Sequence, residues 1–218
     1  MNFIFHNEVI DYDFFYKPNS PTIIFLHGWG GNKFSFSSTL NLLKQHYSIL
    51  TLTIPTTQET NLVWTMEDYC CLVELLCISL NIKSAYIVCH SFGFRVATLL
   101  KDKIKINKII ITGGAGLKKI NIFQKFNKNN NKILLKCNKF DYLFKKIASK
   151  DYLNLSQTNK ESFKNIVNYK TNCLIKFNCP LLLFWGKETE KHRFGWPKKL
   201  RKLTTQNWLS QMLIILHI

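Results

Sequence analysis

Residues 85–101, AYIVCHSFGFRVATLLK, decide the fold. The run AYIVC (85–89) is short, apolar and partly β-branched, which suits a buried strand. FGFRVATLLK (92–101) reads as a helix. Only His90 and Ser91 separate the two, so the strand must turn into the helix at the serine. A turn that sharp strains the backbone and demands small neighbours. Gly93 meets that demand two residues after Ser91, and Cys89 is the small residue two before it. The turn lifts the hydroxyl above the strand end. It also sets it against a helix N-terminus, whose N–H groups favour developing negative charge.

Upstream, TIIFL (22–26) is a second short apolar run, introduced by Pro21 and followed by the loop HGWGGN (27–32). Val9 to Tyr16 reads as an earlier strand, 33–46 as a helix, and SILTLTI (48–54) as a strand stopped by Pro55. Thr65 and Asp68 have the spacing of a capping box. Met66, Tyr69, Cys70, Val73, Leu76, Cys77 and Leu80 then recur at helical spacing, and Asn81 stands where that helix would end. Downstream, KIIIT (108–112) and PLLLFWG (180–186) are further strands, and MLIIL (212–216) is a last apolar run. Strands alternating with helices predict an α/β fold, a mainly parallel sheet with helices on both faces.

CHSFG resembles the nucleophile elbow of the α/β-hydrolase family, usually written G-x-S-x-G, with Cys89 in place of the first glycine. HGWGG is similar to that family's H-G-x-G loop and follows a strand at the matching place, some 60 residues upstream. The resemblance covers residues 1 to about 188. It implies that Ser91 is the nucleophile and that the backbone N–H groups of Trp29 and Phe92 form the oxyanion hole. It implies that His27 is structural, its ring bonding loop backbone. Residues 1–116 are then the first part of the core, 117–178 a small inserted cap, and 179–188 the core strand before the catalytic acid. The substrate class implied is a small ester or related carbonyl compound. No cofactor, metal, membrane or nucleic-acid partner is expected, and the oligomeric state is left open.

Residues 189–218 depart from the pattern. In this family the acid stands three residues after the glycine of W-G-x-x-D, and here Thr189 occupies that place. Glu188 and Glu190 flank it, and Glu188 is the first candidate acid. His217 follows the last apolar run and is the candidate base, while His192 lies early in the chain for that role. Reading from the third base of each codon, with synonymous codons chosen freely, Glu190–Leu200 permits ETPLWMAKKI. The final eight residues permit TNADHFAY in the same frame. Both strings resemble what the family carries at these places. A frame break near codon 189 is therefore expected, leaving the C-terminus incomplete and the chain inactive as written. A divergent tail is the alternative.

Composition bounds the other readings. The length of 218 residues and a hydrophobic content of 46% suit one domain with a real core. No apolar run approaches the roughly 18 residues of a membrane helix. The N-terminus lacks the basic and apolar regions of an export signal, and seven cysteines without repeated CxxC suit a reducing cytoplasm. The net charge of +17 is uneven: residues 1–100 hold 5 basic and 7 acidic residues, and the remainder 25 and 6. Of the basic residues 27 are Lys and 3 are Arg, often interleaved with Asn as in FNKNNNKILLKCNK (126–139). Nucleic-acid readers favour the Arg fork, so this excess reads as compositional. A nucleic-acid binder and a non-catalytic binding domain of the same fold are the competing readings. GGAG (113–116) lacks the context of a phosphate loop and reads as a tight turn. Trp64, Trp185 and Cys70 read as packing, Cys71 as the flank of its helix, His6 and His46 as surface residues, and Arg95 as the partner of an acid.

Overall fold

A computed structural model describes residues 1–113, 154–169 and 177–184, with the backbone of 212–215. Its centre is an eight-stranded sheet in the order β1-β2-β4-β3-β5-β6-β7-β8. The strands are β1 (Asn2–Phe5), β2 (Glu8–Phe15), β3 (Thr22–Leu26), β4 (Ser48–Leu52), β5 (Ser84–His90), β6 (Lys105–Thr112), β7 (Leu181–Phe184) and β8 (Met212–Ile215). β1 and β2 are antiparallel, as are β2 and β4, and every pairing from β4 to β8 is parallel.

The parallel strands are apolar throughout because both their faces are covered. Ile24, Leu26, Leu50, Leu52, Ile87, Cys89, Ile109 and Ile111 belong to one cluster with α2 (Met66–Ser79) and α3 (Phe92–Leu100). Ile23, Phe25 and Ile49 point the other way and pack with Leu40 of α1 (Ser37–Leu43). α2 begins at the expected box: the Thr65 hydroxyl accepts from the Asp68 N–H while the Asp68 carboxylate accepts from the Thr65 N–H. Asn81 follows it with φ of 56°, a left-handed stop that Asn tolerates.

Four features differ from the sequence reading. First, β1 was not anticipated. His6 and Asn7, with φ of 48° and 64°, form a two-residue turn that folds β1 onto β2. Second, α1 is shorter than 33–46. The Asn32 side chain accepts from Phe34 N, Asn32 N donates to Ser35 Oγ, and Lys33 reaches Asp11 and Asp13 at 2.9 and 3.0 Å, so residues 32–36 form turns instead. Third, the stretch between β6 and β7 contributes a helix, α4 (Gln157–Asn168), which starts where the Ser156 hydroxyl accepts from Asn159 N. Fourth, the last apolar run does pair: β8 lies parallel to β7 with Leu181 opposite Met212 and Phe184 opposite Ile215. The incompleteness expected of the C-terminus thus does not extend to this edge of the sheet.

Candidate functional site

The parallel register brings the ends of β3, β5 and β6 level. Leu26 lies opposite Cys89, and His90 opposite Thr112. In parallel α/β sheets the loops leaving this carboxyl edge form the ligand crevice. Here they are residues 27–31 after β3, the turn at Ser91 after β5, and Gly113 after β6.

Ser91 is the point of strain. Its φ of 45° and ψ of −104° lie outside the regions that L-residues favour, and it is half-buried between β5 and α3. Its N–H is fixed by the Thr112 carbonyl at 3.0 Å. The following turn is as crowded as the sequence implies. A Cβ on Gly93 would lie 2.7 Å from the Leu26 carbonyl carbon and 2.8 Å from the His27 oxygen. Cys89 is fully buried, its Sγ 3.5 Å from the Ile110 carbonyl. Its thiol is pushed well above the ordinary range by desolvation, so it behaves as a small apolar residue.

The loop after β3 abuts this turn. A Cβ on Gly28 would meet the His90 ring at 2.8 Å and the Ser91 Cβ at 3.6 Å, so glycine is what admits the close approach. His27 is 1% exposed and holds the loop's shape. Its Nε2 accepts from Ile54 N at 2.8 Å, so Nδ1 carries the hydrogen and donates to the Gly28 carbonyl at 2.7 Å. Desolvation lowers its pKa, against the opposing effect of the Gly28 bond. Gly30, with φ of 75°, donates its N–H to Thr56 Oγ1 at 3.1 Å, and Gly31 N donates to the Gly28 carbonyl. Neither the Trp29 nor the Phe92 N–H has an intramolecular acceptor among the described residues. Their rings meet edge to face, with centroids 5.9 Å apart.

A cleft of about 330 Å³ opens beside the turn. Gly28, Trp29, Gly31, Ser35, Phe36, His90 and Thr112 line it. His90 and Thr112 escaped the sequence reading as site residues, although His90 stands inside the quoted CHSFG. His90 Nδ1 lies 2.9 Å from Thr112 Oγ1, and Gly113, with φ of 52°, packs under the same ring. The rest of GGAG lies outside the described residues.

α4 is docked by its polar side chains. Asn159 and Ser162 are 2% and 1% exposed. Asn159 donates to the Gln58 carbonyl at 2.7 Å, Ser162 Oγ accepts from Trp64 N at 2.9 Å, and Asn165 donates to the Trp64 carbonyl. Arg95, read as an acid's partner, donates to the Ile166 carbonyl. Phe163 meets the Trp29 ring at 4.9 Å. No apolar periodicity announced this helix, because buried amides and hydroxyls fix it. Trp64 is fully buried, Cys70 is buried and Cys71 half-buried, and His6 and His46 are exposed, as expected. Glu188, Glu190, His192, His217 and Trp185 lie outside the described residues, as does the lysine-rich stretch 118–150.

No family model matches the sequence. An uncharacterized hydrolase of Bacillus subtilis, YugF, is 26% identical over 112 residues, which is 48% of this chain and 41% of that protein. The match thus spans less than half of the relative's length. Among solved structures, a carboxylesterase of the thaumarchaeon Nitrososphaera gargenis superposes with a TM-score of 0.66 at 13% identity, covering 99% of this chain and 89% of that one. The α/β hydrolase MGS-M2 from a deep-sea metagenome gives 0.67 at 15% identity, over 100% and 88%. The enol-lactonase of Burkholderia xenovorans gives 0.67 at 12% identity, over 100% and 91%. The fold of this chain is the α/β-hydrolase fold. No helix among the described residues is long and apolar enough to cross a membrane.

Proposed function

We propose that this chain carries the nucleophile half of a serine hydrolase for a small ester or related carbonyl compound, and that as written it lacks a working acid and base. The observation that carries the reading is the strained Ser91 at φ 45°, set between a Gly93 with no room for a side chain and a Gly28 that lets the β3 loop touch it. Strain at a single polar residue over a strand end is where such folds keep a nucleophile. Solved α/β hydrolases and the partial likeness to a bacterial hydrolase support the same class.

In that reading Ser91 Oγ attacks the substrate carbonyl carbon, and a base takes the hydroxyl proton. The carbonyl electrons move to oxygen, which the Trp29 and Phe92 N–H groups face. Collapse of the intermediate expels the alcohol, which receives that proton, and water then releases the acid from Ser91. Without the base, the hydroxyl is a weak nucleophile at neutral pH. His217 and Glu188 are the remaining candidates for base and acid, by chain order alone. The test is a fluorophosphonate probe on this chain, on its Ser91→Ala variant, and on a chain with the frame restored near codon 189. Labelling of the restored chain only, abolished by Ser91→Ala, is expected. Equal Ser91-dependent labelling of the chain as written would mean that its own tail completes the triad.

A further inference from the structure

α4 and the loop after β3 are joined through rings. Phe163 meets Trp29 at 4.9 Å, Trp29 meets Phe92 at 5.9 Å, and Phe92 meets Tyr69 at 5.0 Å. Tyr69 in turn stacks on Trp64 at 5.0 Å. The path is closed by backbone, since Trp64 N and O are both held by α4, at Ser162 and Asn165. Trp29 and Phe92, whose N–H groups have no acceptor among the described residues, are thus neighbours in one aromatic lattice that reaches α4 at both ends. On the Trp29 side of the loop, Gly30 N reaches Thr56 Oγ1 and Gly31 N closes a local turn on the Gly28 carbonyl.

We infer that Phe163 is a positioning residue, which holds Trp29 and so fixes the direction of its N–H beside Ser91. α4 is then a clamp on the oxyanion loop, in addition to any part in shaping the substrate pocket. The inference rests on the proposed roles of Trp29 and Phe92, but the clamp itself is a mechanical statement about the loop. Two features argue that α4 is a fixed support. Its docking face buries Asn159 and Ser162 almost completely, and amides and hydroxyls buried with partners are costly to expose. Phe163 lies on the adjacent face, half-buried, with its ring edge to face against Trp29.

The experiment is NMR-detected amide exchange on the full chain, comparing Phe163→Ala, Phe163→Tyr and the exposed control Lys164→Ala. Phe163→Ala is expected to raise exchange at Gly30 and Gly31 by about three- to tenfold, the size of one lost aromatic pair. Exchange within β3 and α2 should not change. Phe163→Tyr, which keeps the ring, should restore the loop, and Lys164→Ala should match the unaltered chain. Unchanged Gly30 and Gly31 exchange in Phe163→Ala overturns the clamp, as does a uniform rise across β3 and α2. The serine reading is separated by the probe: Ser91 labelling, measured on the frame-restored chain, should slow in Phe163→Ala by a similar factor and recover in Phe163→Tyr. A faster loop with unchanged labelling would leave the clamp standing and overturn its link to an oxyanion hole.

Discussion

In the proposed reading, the backbone at Ser91 sets up a conflict between stability and chemistry that can be measured at that residue. A non-glycine residue outside the favoured regions costs about 1–3 kcal/mol, and glycine escapes that cost at the expense of unfolded-state entropy. Ser91→Gly should therefore be more stable than Ser91→Ala by about 1 kcal/mol in urea unfolding, although both remove the hydroxyl. Equal stabilities would mean the turn is relaxed. Gly93→Ala should act in the opposite sense and cost about 3 kcal/mol or more, because the new methyl meets the backbone of Leu26 and His27, which cannot move aside without breaking β3. Cys89 is less free than its position in the elbow implies. It is wholly enclosed, so Cys89→Gly should fold, but with a loss of about 1 kcal/mol from the cavity it leaves.

His27 carries a pH signature. Its folded pKa is lowered by burial, while the unfolded side chain titrates near 6.5. Below that value the unfolded chain takes up a proton that the folded chain refuses, so stability falls as the pH drops. Denaturation midpoints should decline from pH 7.5 to 5.5. His27→Gln, which has no proton to gain, should be less stable at pH 7.5 but show a shallower decline. A parallel decline in both proteins would assign the pH effect elsewhere.

At the scale of elements, α2 shows what local patterning can and cannot carry. Its capping box and its inward stripe were legible because both are short-range: Thr65 and Asp68 satisfy each other's N–H groups, and Cys70 and Cys77 fall on the buried face. Burial pushes both thiols up to about 12, with further help from Glu74 at each. Alkylation of the native chain at pH 8, mapped by mass spectrometry, should mark the half-buried Cys71 and spare Cys70, Cys77 and Cys89 until the protein unfolds. Native labelling of Cys77 would mean that α2 opens without global unfolding. β3, β5 and β6 were legible for the same local reason, as apolar runs next to glycine or proline. β1 was not, because its turn is made by His6 and Asn7, which carry no strong hairpin signal without a following glycine. α4 was not, because its burial is polar and long-range: Asn159 and Ser162 find partners about a hundred residues earlier, at Gln58 and Trp64. Of the candidate site, the Ser91 turn and the glycine loop could be read because sterics restrict the residue at each place, and the structural His27 only through the family resemblance. His90, Thr112 and Phe163 could not, since their roles exist only through contacts across strands or between distant segments.

At the scale of the whole molecule, the fold and the catalytic apparatus divide at different places in the chain. The strained serine, the loop that touches it and most of the core that supports both are encoded before residue 113, in a region almost neutral in charge. In the proposed reading the acid and base would come from beyond Phe184, where the W-G-x-x-D pattern fails and a second reading frame permits family-like sequence. β8 is formed by Met212–Ile215 within that stretch, so the sheet is completed to its eighth strand even though the surrounding sequence departs from the family. A complete sheet does not make a triad, however. Removing any member of a Ser–His–acid set leaves only residual catalysis, of order 10³ to 10⁴ over water. Turnover of a short-chain nitrophenyl ester should thus be near background for this chain and Ser91-dependent in the frame-restored one. Both chains should unfold cooperatively, because they share the cluster built on β3–β6, α2 and α3. If the chain as written hydrolyses the ester and Ser91→Ala abolishes it, the next measurement is His217→Ala and Glu188→Gln. Loss in both variants would place the base and acid in the tail as it stands, and would overturn the frame-break account along with the expectation of inactivity.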